Sequence, residues 1–234
     1  MFGQGDIVGL VAVYAYVALV IVLASKLGFV KRVGAQRKFV HIMVGNIVLI
    51  WWVFESNLVM AFLAAAPFVP LLLLASSRSP IKRVRESFIG KTTGESHNLG
   101  LVYYAISWTL LAFFLFDDLL VASIAIVSMS YGDGIGGLVG KAFGKRRLVG
   151  KKTLEGTLTV LVATTVASLA VIAFYGALTA AGLYPGSVIA LPVALGLSAV
   201  VGVFVAVVEL LTPGQYDNLT IPLGTALLLV LLGV

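Results

Sequence analysis

Gly132, Gly136 and Gly140 recur at four-residue spacing within the run Ser130-Tyr131-Gly132-Asp133-Gly134-Ile135-Gly136-Gly137-Leu138-Val139-Gly140-Lys141. On a helix this spacing places the glycines on one smooth face. The face reads in two ways. It is either a small-xxx-small surface for close helix packing or a stretch of bare backbone that phosphate oxygens approach. Asp133 weighs toward chemistry, because an acid beside glycines at a membrane boundary is costly unless it is paired or ligates a metal. A second element follows at residues 143–157. Lys145, Arg146, Arg147, Lys151 and Lys152 surround Gly144 and Gly150, and Glu155 comes before the next apolar run. Cations and free backbone N–H groups are what a triphosphate requires. Glu155 can ligate a metal that bridges phosphate oxygens.

Glu209 and the segment Asp217-Asn218-Leu219-Thr220-Ile221-Pro222 make a third element. Asp217 and Asn218 are hard-oxygen groups suited to Mg2+ and to ribose or phosphate. Glu209 reads either as a ligand or as a buried acid paired with a loop cation. Arg37, His41 and Gly45, four apart, share a helix face at the start of an apolar run. His41 is either a polar tether there, or a phosphate contact and proton carrier. Thr93-Gly94-Glu95 with Asn98 forms a similar, weaker cluster. Two look-alikes fail. Gly90-Lys91-Thr92 lacks the upstream glycine of a phosphate-binding P-loop, since Arg85 stands there. In the run from Gly144 the second glycine is one residue late and Lys152 replaces Ser/Thr. Asn218-Leu219-Thr220 has the form of a glycosylation acceptor, but the topology below puts it in the cytoplasm.

The elements that must hold these groups are apolar. Of 234 residues, 60% are hydrophobic and 11% charged, against about 25% charged in a soluble domain. Mean hydropathy is +1.10. The expectation is one all-α integral membrane domain, 1–234, a polytopic helical bundle of about eight spans near 7–24, 39–54, 58–75, 99–116, 119–131, 157–181, 187–211 and 220–234. Most approach the roughly 20 apolar residues that cross a bilayer, and the last, 220–234, is short. The first run lacks a basic region ahead of it and a small-residue cleavage site, so it reads as a span rather than a signal peptide. No cysteine is present, which removes disulfides, thiolate metal sites and cysteine nucleophiles.

All sixteen Lys and Arg fall in three stretches, Lys26–Lys38, Arg78–Lys91 and Lys141–Lys152. The positive-inside bias puts these loops and the Asp217 loop in the cytoplasm and both termini outside. The polar motifs therefore gather on the cytoplasmic face. This placement and anionic headgroups account for the net charge of +6 without nucleic acid. In the second stretch Ser79 and Pro80 predict the start of a short interfacial helix carrying Ile81, Val84 and Phe88 on one side.

The order of the motifs carries a resemblance. Arg37-Lys38-x-x-His41 is followed by Gly132-Asp133-Gly134 with Gly140-Lys141-x-x-Gly144. Gly150-Lys151-Lys152-Thr153-Leu154-Glu155-Gly156 and Asp217-Asn218-Leu219-Thr220-Ile221-Pro222 come next. From about Arg37 to Pro222 the chain resembles the polyprenol kinase family, which contains dolichol kinase, phytol kinase and CTP-dependent diacylglycerol kinase. Leu99-Gly100-Leu101-Val102-Tyr103-Tyr104 resembles a Gly-Pro-Leu-Tyr-Tyr stretch of phytol kinase-like members, without its proline. The resemblance implies CTP as donor and a long isoprenoid alcohol from the bilayer as acceptor.

The reading is an integral membrane lipid kinase using Mg2+. Asp133 and Asp217 are expected to hold the metal, with Glu155 as a further ligand or orienting group. Gly132, Gly136, Gly140, Lys141, Arg146, Gly150, Lys151, Lys152 and Asn218 are expected on the nucleotide. Asp133 or His41 is expected to take the alcohol proton. The alternatives are a cytidylyltransferase acting on a lipid phosphate and a small transporter. The sequence leaves the oligomeric state open, a homo-oligomer included.

Overall fold

The computed structural model describes residues 2–26, 36–75 and 99–234. The expected interfacial helix from Ser79 and the Thr93-Gly94-Glu95 and Asn98 cluster lie outside the described residues. The described chain is helical, and it divides into two compact units, Met1–Asp117 with Pro213–Leu219, and Asp118–Thr212 with Thr220–Val234.

In the first unit α1 (Gln4–Lys26) is apolar along almost its whole length. Its N-terminus is tied down by Asp6, which is 1% exposed. The Asp6 carboxylate accepts the N–H groups of Gly3 (3.1 Å), Glu55 (2.9 Å) and Ser56 (3.0 Å). Glu55 in turn accepts the N–H of Gly5 at 2.8 Å. These bonds satisfy donors that a helix end and a turn leave orphaned. Tyr16 donates to the Met43 carbonyl at 2.8 Å and Tyr14 to that of Leu63 at 2.6 Å, so α1 is stitched along its length.

The expected span at 39–54 is not one α-helix. α2 (Gln36–Val44) gives way to 3-10 turns at Gly45–Leu49 and Trp51–Val53. Gly45 and the β-branched and indole residues after it are weak helix formers, and the tighter turn seats Trp51 in the core. Trp51 stacks on Trp108 (centroids 6.2 Å apart), and Trp108 on Phe68 (5.9 Å). The expected span at 58–75 is likewise interrupted. A π-helical stretch, Val59–Ala65, and α3 (Phe68–Ala75) meet at Pro67, which has no N–H to continue the ladder. α4 (Gly100–Phe114) completes this unit's long elements.

The second unit is built round one buried rod. A 3-10 turn at Phe116–Asp118, α5 (Leu119–Val127), a π-helical stretch (Ser128–Asp133) and α6 (Gly134–Phe143) run end to end. Of its apolar window 83% is buried within the protein, against 28% for α7 (Leu154–Ala180) and 33% for α8 (Leu191–Leu211). The rod is the core and the other two lie outside it. The sequence placed the end of this helix at Tyr131 and a polar loop from Gly132 to Gly156. The helix instead continues to Phe143, and only residues 144–153 are loop. Glycine disfavours isolated helix by about 1 kcal/mol per residue, and packing on α7 reverses that preference here.

α7 ends in a Schellman cap. Leu183 N–H bonds Leu178 C=O (2.9 Å) and Gly182 N–H bonds Thr179 C=O (3.0 Å), with Gly182 at φ 72°. α9 (Asp217–Leu231) closes the chain. Among the described residues, four helices are long and apolar enough to cross a membrane, where about eight were expected: Gln4–Lys26, Phe116–Phe143, Leu154–Ala180 and Leu191–Leu211. Val59–Ala75, Gly100–Phe114 and Asp217–Leu231 are apolar but shorter.

Candidate functional site

The glycine face of the rod packs on α7. A Cβ on Gly156 would stand 3.1 Å from the Gly140 Cα and 3.2 Å from the Gly136 carbonyl oxygen. A Cβ on Gly132 would meet Thr164, with Val205 at 3.5 Å and Val160 at 3.6 Å. The small-residue packing reading therefore holds for all three glycines. Gly132 is enclosed by this packing. Gly136 and Gly140 sit nearer the helix end, where the contact opens into a cleft.

That cleft has a volume of about 260 Å³. Gly136, Gly137, Gly140 and Gly156 give it a floor of bare backbone, Thr153 and Thr157 one wall, and Lys141, Lys151, Lys152 and Glu209 its charges. Its other side is a hairpin at residues 144–153. Arg147 and Thr153 pair across it. Leu148 N–H bonds Lys152 C=O and Lys152 N–H bonds Val149 C=O, both at 2.9 Å. Gly150 occupies the first central position of that turn at φ 58°, the left-handed region that a primed hairpin turn demands. Thr153 then caps α7, its hydroxyl accepting the Gly156 N–H at 3.2 Å. Glu155 Oε2 accepts the N–H groups of Lys145 (3.0 Å) and Arg146 (3.3 Å). The expected metal carboxylate thus holds the hairpin's first strand against the helix start.

The neighbouring lysines have different tasks. Lys152 Nζ lies 2.9 Å from Glu209 Oε1 and 3.0 Å from the Thr212 carbonyl, and it also donates to the Glu209 carbonyl. Its three donors are engaged at the C-terminal end of α8, where a cation is favoured by the orphan carbonyls. Lys152 therefore lines the cleft as a latch to α8. Lys141 and Lys151 are exposed and border the same cleft. Glu209 is a part-buried acid paired with a loop cation, and its second oxygen, Oε2, is buried without a hydrogen-bond partner. Arg146 and Gly150 belong to the hairpin and do not line the cleft.

Asp133 closes the π-helical stretch and is 7% exposed. Just before it, Ser128 and Ser130 bond back to the carbonyls of Ile124 (2.7 Å) and Ile126 (2.8 Å), which loosens the regular ladder. Such π-helical turns recur at functional sites.

The other expected residues belong to the first unit. Asp217 and Asn218 are 8% and 6% exposed. Asp217 Oδ1 accepts both the backbone N–H (2.9 Å) and the side-chain amide (2.7 Å) of Asn218. That amide also donates to Gln215 C=O at 3.2 Å, and Ser107 donates to Asn218 C=O at 2.7 Å. Gln215 Oε1 accepts the Leu99 N–H at 3.0 Å. His41 is 4% exposed and lies against Tyr104, ring centroids 4.9 Å apart. Among the described residues no group of three or more His, Asp and Glu is gathered to hold a metal. Sequence reasoning left Gln215 and Ser107 unmarked, because nothing local distinguishes them. Thr153 was also unmarked as a cap, although its place directly before a helical run is the signal that could have found it.

No family model matches the chain, and no solved structure does. Curated relatives do match. A phytol kinase of Synechocystis is 34% identical over 229 residues, covering 94% of this chain and 89% of that protein. This chain belongs to the polyprenol/phytol kinase family. Two plant members of the phytol kinase family are also similar. The phytol kinase 1 (chloroplastic) of Arabidopsis thaliana is 27% identical over 203 residues, 82% of this chain and 64% of the plant protein. The probable phytol kinase 1 (chloroplastic) of Glycine max is 30% identical over 159 residues, 62% of this chain and half of the soybean protein.

Proposed function

We propose that the protein is a membrane lipid kinase that moves the γ-phosphoryl group of CTP onto the hydroxyl of an isoprenoid alcohol of the phytol class. The observation that carries the reading is the cleft of glycine backbone and lysines between α6, the hairpin and α7, in a chain 34% identical to a phytol kinase across nearly its whole length. Phosphoryl transfer asks for positioning and charge neutralisation more than for covalent chemistry. The bare floor admits phosphate oxygens, and Lys141 and Lys151 supply the cations. At about 260 Å³ the cleft suits the phosphate groups rather than a whole nucleotide, since small-molecule pockets run to roughly 300–1,000 Å³.

Mg2+ is the proposed cofactor, and when bound it neutralises charge on the phosphate oxygens. It commonly takes one or two carboxylates plus substrate phosphates rather than an all-protein cage. Asp133 is the carboxylate proposed to hold it, with Asp217 proposed from its motif. In the transfer the alcohol oxygen attacks the γ-phosphorus, its proton passes to Asp133 or His41, and the bond to the β-phosphate oxygen breaks to release CDP. The positive-inside bias of the basic residues supports a cleft at the cytoplasmic face, reached from the side by an alcohol stored in the bilayer.

The test is the purified protein in detergent with labelled CTP or ATP, Mg2+, and a panel of phytol, geranylgeraniol, dolichol and lipid phosphates. The expected result is prenyl phosphate and CDP in equal amounts from phytol. Pyrophosphate release, seen only with a phosphorylated lipid, would mean a cytidylyltransferase instead.

A further inference from the structure

We infer that the hairpin at residues 144–153 is an interfacial anchor that sets Leu148 and Val149 among the anionic phospholipids of the protein's own membrane. This goes beyond the proposed phosphoryl transfer and does not depend on it. The hairpin joins Phe116–Phe143 to Leu154–Ala180, both long and apolar enough to cross a bilayer. Ten residues separate those helices, so the tip reaches at most about 17 Å from their ends. It therefore stays close to the headgroup layer.

Its surface is unusual for a loop in water. Leu148 and Val149, which lead into the turn, are 45% and 49% exposed, and Phe143 at the end of α6 is 69% exposed. The apolar tip is presented deliberately: the Arg147–Thr153 pairing and the two bonds between residues 148, 149 and 152 hold the turn in one shape. Around it stand Lys145, Arg146, Arg147 and Lys151, all exposed. Among the described residues near it, Glu155 accepts the backbone N–H groups of Lys145 and Arg146, and the four cations outnumber this one acid.

Two apolar side chains are too small a patch for a stable protein partner, which takes about 800 Å² from each side. A shallow apolar wedge ringed by cations is instead what an anionic membrane interface receives. Cations at the rim attract acidic headgroups, and the wedge adds apolar contact below them. Held at both ends, the membrane would steady the hairpin that walls the cleft.

The chain has no cysteine, so a Val149→Cys variant carries one spin label at the tip. The label's exposure to oxygen and to a water-soluble nickel reagent is measured in dilute nanodiscs of phosphatidylcholine, with and without phosphatidylglycerol. The expected result is oxygen-rich, nickel-poor exposure with phosphatidylglycerol, weaker without it and weakened by salt. A Lys145→Gln, Arg147→Gln background should remove the phosphatidylglycerol dependence, while the cleft variant Lys141→Ala, which lies outside the rim, retains tip burial. Free access of the nickel reagent in both lipids would overturn the anchor. Protection that appears only as protein concentration rises would assign the tip to a second copy and overturn it equally.

Discussion

Two polar regions carry the motifs of this chain, and they are built on opposite plans. Around Asp217 and Asn218 the polar atoms are turned onto one another: carboxylate to amide, amide to Gln215, carbonyl to Ser107. Burial there demands such closure, because an unpaired buried polar atom costs about 1–3 kcal/mol. Beside the hairpin the plan is reversed. Gly137 and Gly140 keep backbone accessible, and Lys141 and Lys151 border an open cleft. Even there the plan is mixed, since Lys152, next in sequence to Lys151, is engaged with α8. Motif membership therefore does not separate a receiving group from a holding one. The hydrogen-bond partners do.

The strongest way to sharpen this contrast is at Asp133. Asp133→Asn keeps the shape and removes the charge, so kcat should fall by about 10²–10³ with little change in thermal stability. Prenyl phosphate formation under saturating CTP and Mg2+ measures the first, and unfolding in detergent the second. Activity near that of the parent protein would remove Asp133 from the site.

The adjacent lysines break the comparison at its finest point. Lys151→Ala should raise KM for the nucleotide by about tenfold, in keeping with the loss of a charge-assisted contact, and leave stability alone. Lys152→Met should destabilise the protein by about 2–4 kcal/mol, because it strands the Glu209 charge. Glu209→Gln in the Lys152→Met background should recover part of that loss. Matching kinetic profiles for the two lysine variants, with no difference in stability, would erase the distinction between clamp and latch.

Smaller effects test the frames of the two regions. Gly156→Ala forces a methyl to 3.1 Å from Gly140 Cα and should cost about 1–3 kcal/mol, read as an earlier thermal transition with turnover reduced in step. Ser107→Ala removes one bond to Asn218 and should cost about 1 kcal/mol with nucleotide KM unchanged. A large rise in KM from Ser107→Ala would mean that this bond also positions the Asp217 and Asn218 segment for the nucleotide.

Much of this was legible in residue order. The helical class, the apolar runs and the cationic loop follow from composition and spacing, because hydrophobicity and glycine or proline placement act locally. Helix bounds were less legible where packing overrode local preference. Gly132, Gly136 and Gly140 read as the start of a loop, yet α7 accepts them as a continuous helix face. Pro67 was visible in the sequence, but its interruption of the 58–75 run depends on where the backbone ladder must be completed. The partners of Glu155 and Glu209 were out of reach, since the Lys152–Glu209 pair joins residues 57 positions apart.

The sequence alone determined that this chain is a bundle of apolar helices with its cations in three clusters, and that its motif order is that of a polyprenol kinase. Those properties are sums over local composition. Tertiary structure alone decided which glycines are covered and which floor a cleft, and which of two neighbouring lysines is left to meet an anion. Those outcomes depend on distances between residues far apart in the chain, where a single competing carbonyl or carboxylate settles how a cation is used.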